Sequence, residues 1–178
     1  MEPLDLSTRP PRSGLEKLGG FYLLARTIDK IRAHLPGGNP GEYKIPGFSE
    51  RLLQALGVSE YDLREAVARA RSDGDVLTWL QERTDFSRAE EINASLIAPT
   101  GGERMDRPGF IERHPIVTSL PPETTLLGML DAEDAARFRP KCSENINGSN
   151  NRHGRHGPCL CVSQAIISTR RRTARRSR

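Results

Sequence analysis

Residues Ser13–Leu35 read SGLEKLGGFYLLARTIDKIRAHL, and this stretch carries the longest helical pattern in the chain. Its apolar residues recur at alternating spacings of three and four, which lays one apolar stripe along an α-helix. The stripe consists of Phe21, Leu24, Ile28, Ile31 and Leu35. Ser13 precedes Glu16 by three residues, as in a capping box, and the Pro36-Gly37-Gly38 sequence ends the helix. The pattern predicts one long N-terminal helix with its apolar face in the core.

Three charged residues, Arg26, Asp29 and Lys30, lie beside this stripe. Their spacing of three and four residues places them on a shared face, where opposite charges can pair. This face is therefore either solvated helix surface or the floor of a site.

Shorter helical patterns follow, and most have a start signal of their own. A serine opens each of four apolar-periodic runs, and an acidic residue follows three positions after the last three of these serines. The serines are Ser49, Ser59, Ser72 and Ser87. A last apolar run begins at Leu126, whereas only residues 42–45 read as a short strand, which alone cannot make a sheet. The sequence predicts an all-α fold: a single small helical domain at residues 2–138, one long N-terminal helix, and several short capped helices.

Charge divides the chain in two. Residues 1–138 carry 17 Lys and Arg against 22 Asp and Glu, whereas residues 139–178 carry 10 against 1. The second part is rich in Asn, Gly, Ser and Arg and has no sustained apolar period, a composition that predicts a disordered basic tail. Its almost exclusive use of Arg is also expected of a frame-shift product, and the sequence leaves that alternative open.

Several separated segments resemble, in order, a bacterial family catalogued as domain of unknown function 5069. They are LDLSTRPPR at 4–12, LGG and LARTIDKIRA within 18–33, GEYKI at 41–45, LLQALGV at 52–58 and DGDVLTWL at 73–80. The resemblance covers roughly residues 2–138 and leaves the tail out. It implies a small, soluble, mostly helical cytoplasmic domain, and it implies no particular reaction, ligand or partner.

The absence of an export or membrane signal gives the same expectation. The chain has no run of eighteen apolar residues, and it starts with the acidic sequence MEPLDL. All three cysteines (Cys142, Cys159 and Cys161) lie in the tail, so the helical domain has no disulfide framework. We expect a soluble, cytoplasmic protein with no membrane partner.

The most promising binding residues are basic. Arg9 and Arg12 lie on a stiff, Pro-rich arm, while Arg26 and Lys30 share a helix face, so the four together can form a clamp for a carboxylate or phosphate. Asp29 would orient one of them, and Tyr43 would stack on a ligand or hydrogen-bond to it. The predicted ligand-binding residues are Arg9, Arg12, Arg26, Asp29, Lys30 and Tyr43. The alternative is that they are ordinary surface charges and a bracing tyrosine.

Signals for catalysis and for metal binding are weak. The sequence has no GxSxG elbow, Walker loop or HExxH motif, and the domain's histidines, His34 and His114, remain the candidate general bases. An acidic cluster, Asp131, Glu133 and Asp134, lacks the glycine-turned loop of a calcium site, so we predict no metal there. HxxH and CxC spacings in the tail are weak zinc signals.

Residues 52–67 read as a helix-turn-helix, but the second helix carries a net negative charge, which opposes phosphate contact. We therefore expect no specific nucleic-acid binding. The leading hypothesis is a noncatalytic binding module for a small anionic ligand or an acidic partner, and the cofactors are unknown. The alternatives are an enzyme that uses His, Tyr and carboxylate groups, marked by a deep pocket with His34 or His114 beside an acid, and a protein-interaction domain.

Overall fold

The structure, a computed structural model, describes residues 1–139. The predicted disordered tail, its zinc-type ligands and the frame-shift alternative lie outside these residues. The described part contains seven α-helices, three short 3-10 turns and no β-strand, which confirms the all-α prediction. The helices are α1 (Leu24–Ala33), α2 (Phe48–Leu56), α3 (Glu60–Arg69), α4 (Asp73–Gln81), α5 (Ala89–Ile97), α6 (Phe110–Arg113) and α7 (Leu126–Arg137). Within residues 1–139, no helix is long and apolar enough to cross a membrane.

The N-terminal helix is much shorter than predicted. It begins at Leu24 instead of Ser13, because the preceding chain turns through Gly19, Gly20 and Leu23, whose φ angles are 58°, 91° and 64°. These left-handed conformations cannot continue a right-handed helix. The capping box predicted at Ser13 does not form either, since the Ser13 hydroxyl donates to the carboxylate of Asp131 in α7.

Asn93 of α5 holds this turn in place. Its side-chain carbonyl accepts a hydrogen bond from the Tyr22 amide at 2.9 Å, and its side-chain amide donates to the Gly20 carbonyl at 2.7 Å. Because Asn93 is buried, both bonds are shielded from water. A side chain that is distant in sequence therefore fixes the point at which α1 begins.

α1 is the centre of the core. The predicted stripe residues Phe21, Leu24, Ile28 and Ile31 are fully buried, and they pack with apolar residues of α2, α3, α4, α5 and α7. The charged face is covered as well: Arg26, Asp29 and Lys30 are only 2%, 5% and 8% exposed. Burial of three ionisable groups on one short helix is costly unless each finds a partner, so this face needs an explanation.

The predicted helix starts are partly correct. Ser59 accepts a hydrogen bond from the Asp62 amide, and Ser72 forms a complete capping box with Asp75. The other two predictions are wrong. Ser49 is not a cap, because α2 begins at Phe48 and the buried Ser49 hydroxyl accepts a hydrogen bond from Thr27 at 3.0 Å. Ser87 lies inside a 3-10 turn that Asp85 caps, and α5 begins after that turn.

Residues 100–125 form a segment whose two ends are fastened together. Thr100 and Thr125 make an isolated antiparallel bridge, and the Gly101 amide donates to the Thr124 carbonyl at 2.8 Å. At Gly102 a side chain would not fit, since a Cβ there would lie 2.8 Å from the Pro122 carbonyl oxygen. The segment has a small apolar cluster of its own with the start of α7. The buried members of this cluster are Phe110, Val117, Leu126 and Met129.

Candidate functional site

A cleft of about 730 Å³ opens beside the charged face of α1. Its lining comes from α1, the connection before α2, the start of α2, the 100–125 segment and α7. Eight basic side chains and three acidic ones line it, a formal excess of five positive charges. Residues 1–138 as a whole have an excess of five negative charges, so basic groups are concentrated here against the overall balance. We call this feature the basic cleft.

The floor of the basic cleft is a buried ion pair. Arg26 Nη1 donates to Asp134 Oδ2 at 2.6 Å and to the Arg12 carbonyl at 3.2 Å. The second carboxylate oxygen of Asp134 accepts the Tyr43 hydroxyl at 2.6 Å. Burial and this hydrogen bond to Asp134 raise the pKa of Tyr43, so the phenol stays protonated as a donor. Asp134 therefore joins α1, α7 and the connection before α2 in one polar network.

Lys30 lies next to this network and has no acidic partner of its own. Its Nζ donates to the Lys44 carbonyl at 3.0 Å, and no carboxylate of residues 1–139 comes within 4.0 Å of it. Burial, and then the nearby Arg26 charge, lower the pKa of Lys30 to about 8, against a smaller opposing effect of Asp134. The amine therefore has unused hydrogen-bonding capacity and a charge that an anion in the cleft would stabilise.

Three arginines converge on one wall of the cleft: Arg51 from α2, and Arg104 and Arg107 from the 100–125 segment. Desolvation, then the charges of Arg107 and Arg51, lower the pKa of Arg104, and Glu103 opposes this only in part. Within residues 1–139 none of the three makes an ion pair with a carboxylate. A bound anion reduces the repulsion between like charges that are held together in this way. We call these three residues the arginine wall.

The cleft also holds a histidine beside an acid. His114 Nδ1 lies 2.8 Å from Glu133 Oε1, and the Phe110 ring packs against the imidazole at 5.0 Å between centroids. His114 follows α6, whereas Glu133 projects from α7. A carboxylate on one ring nitrogen fixes the ring's orientation and leaves the other nitrogen for proton transfer.

The three side chains of the acidic cluster that was predicted not to bind metal each have different partners. Asp131 binds Ser13, Glu133 binds His114, and Asp134 binds Arg26 and Tyr43. In the part of the chain that the structure describes, no group of three or more His, Cys, Asp or Glu side chains is placed to hold a metal ion.

The cleft takes in three of the six predicted binding residues, Arg26, Lys30 and Tyr43. Arg12 and Asp29 pair with each other at 2.9 Å on another side of α1, and Asp73 completes that network at 2.6 Å from Arg12.

The sixth predicted binding residue, Arg9, and the candidate general base His34 are both exposed. Arg9 lies on the surface of the Pro-rich arm. His34, the other candidate general base, is also exposed, and its Nδ1 lies 2.8 Å from the Lys30 backbone carbonyl oxygen.

Much of the cleft was missed by the sequence analysis. The sequence analysis singled out none of Arg104, Arg107 and Arg113, and the occurrence of three arginines within ten residues was the only available signal. Acidic residues alternate with these arginines in the sequence, which hides the fact that the basic side chains gather on one side.

The fold and the cleft define a small all-α domain with a cationic cleft. The chain belongs to the family catalogued as domain of unknown function 5069, whose family model matches residues 8–99. Comparison with curated proteins gives no match. The matched region contains α1 to α5, and with them Lys30 and Arg51, whereas Arg104, His114 and Asp134 lie beyond it.

Proposed function

We propose that this chain is a bacterial, cytoplasmic binding domain whose basic cleft holds a small anionic ligand. The observation that carries the proposal is the charge distribution. The cleft has five positive charges in excess, whereas residues 1–138 as a whole, with the cleft included, have five negative charges in excess. Electrostatic focusing in a concave, partly desolvated site favours anions of matching size.

The arginine wall and Lys30 have complementary roles in this proposal. Arginine guanidinium groups bind phosphate or carboxylate oxygens in pairs, and Lys30 adds a buried point charge. Arg26 is part of the support, because its guanidinium is already bonded to Asp134 and to a backbone carbonyl. The ligand-contacting set is therefore Lys30 with Arg51, Arg104 and Arg107, while Arg26 and Tyr43 position the floor.

The ligand body would rest on apolar surface. Phe48, Phe110, Ile116 and Leu130 line the same cleft, and Phe48 and Ile116 pack partly buried against the apolar cluster of the 100–125 segment. Binding sites for small molecules commonly combine an apolar lining with a few convergent polar groups. An anion attached to an apolar or aromatic body is the ligand class that this arrangement fits.

The test is calorimetric titration of the full chain with inorganic phosphate, pyrophosphate, citrate and adenosine 5′-monophosphate. Arg104→Ala combined with Arg107→Ala should weaken the best binder at least about tenfold, a loss of about 1.4 kcal/mol. The matched control is Arg69→Ala with Arg83→Ala, which removes two arginines far from the basic cleft and leaves the tail unchanged. Equal affinities in all three proteins, or no binding by the unaltered chain, would exclude the proposal.

The second candidate is an enzyme, and the His114–Glu133 pair favours it. This pair is the arrangement that the sequence analysis named as the mark of catalysis: a histidine beside an acid in a pocket. General acid–base catalysis requires an oriented imidazole within reach of a bound ligand. His114→Gln should then leave ligand affinity within about threefold and abolish turnover, since glutamine keeps a polar contact to Glu133 without the titrating ring. A ligand that His114→Gln and the unaltered chain both leave chemically unchanged would support binding alone.

A further inference from the structure

Among the described residues, Lys30 is in a different environment from the other two lysines, Lys17 and Lys44. Lys30 is only 8% exposed, yet it lines the cleft. Lys44 lines the same cleft but is exposed, and Lys17 lies over the Tyr22 ring at 4.8 Å on the surface. A buried lysine normally has an acidic partner, and Lys30 has only a backbone carbonyl as acceptor.

This environment increases the fraction of the Lys30 amine that is in the uncharged, nucleophilic form. Desolvation together with a neighbouring cation favours the uncharged amine, which is how lysines that form imines are activated. The charged groups that act on it are Arg26 and Asp134, and the net result is a pKa of about 8. At pH 7 roughly a tenth of Lys30 is unprotonated, whereas an exposed lysine is unprotonated in less than about one part in a thousand.

We propose that Lys30 is a covalent attachment site that forms an imine with aldehydes or ketones carrying a phosphate or carboxylate group. The inference rests on the proposed function, because the arginine wall would select the anionic carbonyl compounds. The nitrogen lone pair attacks the carbonyl carbon, a C–N bond forms, the amine gives up two protons, and the carbonyl oxygen leaves as water. Nothing is oxidised or reduced in this step.

The probe is pyridoxal 5′-phosphate, an aldehyde with a phosphate group. The full chain is incubated with it at pH 7, the imine is reduced with sodium borohydride, which adds hydride to carbon, and the digested peptides are quantified by mass spectrometry. We expect Lys30 to be labelled at least about tenfold more than each other lysine. Lys44 is the internal control, since it meets the probe in the same cleft but is exposed. Glyoxylate, a much smaller anionic aldehyde, is tested in parallel. If the pyridine ring is too large to reach Lys30, glyoxylate still reports whether the amine reacts.

Three controls test this inference separately from the proposed function. Pyridoxal, which lacks the phosphate, should label Lys30 far less, and Arg104→Ala with Arg107→Ala should reduce labelling by pyridoxal 5′-phosphate. Lys30→Arg keeps the charge and should remove the label. If neither anionic aldehyde labels Lys30 above the other lysines while phosphate still binds, the imine is wrong and anion binding stands. If pyridoxal labels Lys30 as strongly as its phosphate and no anion binds, the proposed function and the selection of anionic carbonyl compounds both fail.

Discussion

Two concave surfaces of this domain have nearly the same volume and opposite electrostatic character. One is the basic cleft, at about 730 Å³. The other, which we call the neutral groove, lies between α3 and α4 and measures about 720 Å³. It is lined by three basic and three acidic side chains, together with Tyr61 and Trp79. Size therefore does not distinguish the two, and their charges do.

Two of the three arginines in the neutral groove, Arg69 and Arg83, have partners within the protein. Arg69 pairs with Glu65 at 2.7 Å, and Arg83 packs over the Trp79 ring at 4.6 Å while it bonds to Glu82. These groups are mostly exposed, so their pairing is an inexpensive feature of a solvated helix surface. In the basic cleft, by contrast, Lys30 is buried and the arginine wall lacks acidic partners among the described residues. A surface whose charges are already paired within the protein gains little by binding a charged ligand.

The largest expected effect is loss of the cleft floor. Asp134→Ala would leave the Arg26 guanidinium buried without its carboxylate and would free the Tyr43 hydroxyl. Removing one partner of a buried pair costs about 3–5 kcal/mol, because the remaining charge is uncompensated. Urea unfolding of the full chain should show this loss. A change under about 1 kcal/mol would mean that water reaches the floor and screens the pair as it does in the neutral groove.

A smaller, pH-dependent effect is expected at Lys30. The folded protein releases the Lys30 proton above about pH 8, whereas the unfolded chain keeps it up to about 10.5. Between these values the unfolded state binds more protons, so the free energy of unfolding rises with pH. Lys30→Met removes the buried charge and should stabilise the protein by about 2 kcal/mol at pH 7.

This gain should fall as the pH rises through 8 and disappear near 10.5, where Lys30 is neutral in both states. Denaturant unfolding of both proteins from pH 6 to 10.5 measures it. A constant difference across that range would show that the lysine is not desolvated. Lys44→Met, an exposed lysine beside the same cleft, provides the comparison and should give no such trend.

The smallest effect belongs to the neutral groove. Glu65→Ala breaks an exposed pair between positions four residues apart on α3, and such pairs contribute about 0.3–0.5 kcal/mol. Thermal unfolding should therefore change by little, and added salt should abolish the difference. A loss of stability as large as that expected for Asp134→Ala would contradict the view that the charges of the neutral groove are solvated and those of the basic cleft are buried.

The sequence was sufficient where local signals decide the structure. The capping residues Ser59 and Ser72 and the apolar stripe of α1 act within a few residues of themselves, and each was predicted correctly. The start of α1 was not, because it depends on a left-handed turn that Asn93 holds from about seventy positions away. Gly19-Gly20 was a visible signal for that turn, but the capping box predicted at Ser13 placed both glycines inside the helix.

The candidate site was only half visible for the same reason. Arg26 and Lys30 were chosen because they share a helix face, and Tyr43 because it lies in the connection after that helix; all three line the cleft. Their partner Asp134 lies 108 residues after Arg26, and no spacing rule connects the two. The pairing of Arg12 with Asp29 and Asp73 was likewise invisible, so Arg12 was placed in the predicted clamp.

The fastened ends of the 100–125 segment have a consequence for how such a site can diversify. The match of this chain to the family model ends at residue 99, next to the Thr100–Thr125 bridge that closes the segment. Because the chain leaves and returns at adjacent points, this stretch can be lengthened, shortened or exchanged without altering the path of α1 to α5. Arg104 and Arg107 lie within this stretch and would be exchanged with it, whereas Lys30 lies on α1 and would be retained. A lysine fixed on α1, combined with an exchangeable segment that carries the arginines, would allow one helical scaffold to acquire new ligand preferences by replacement of a single stretch of chain.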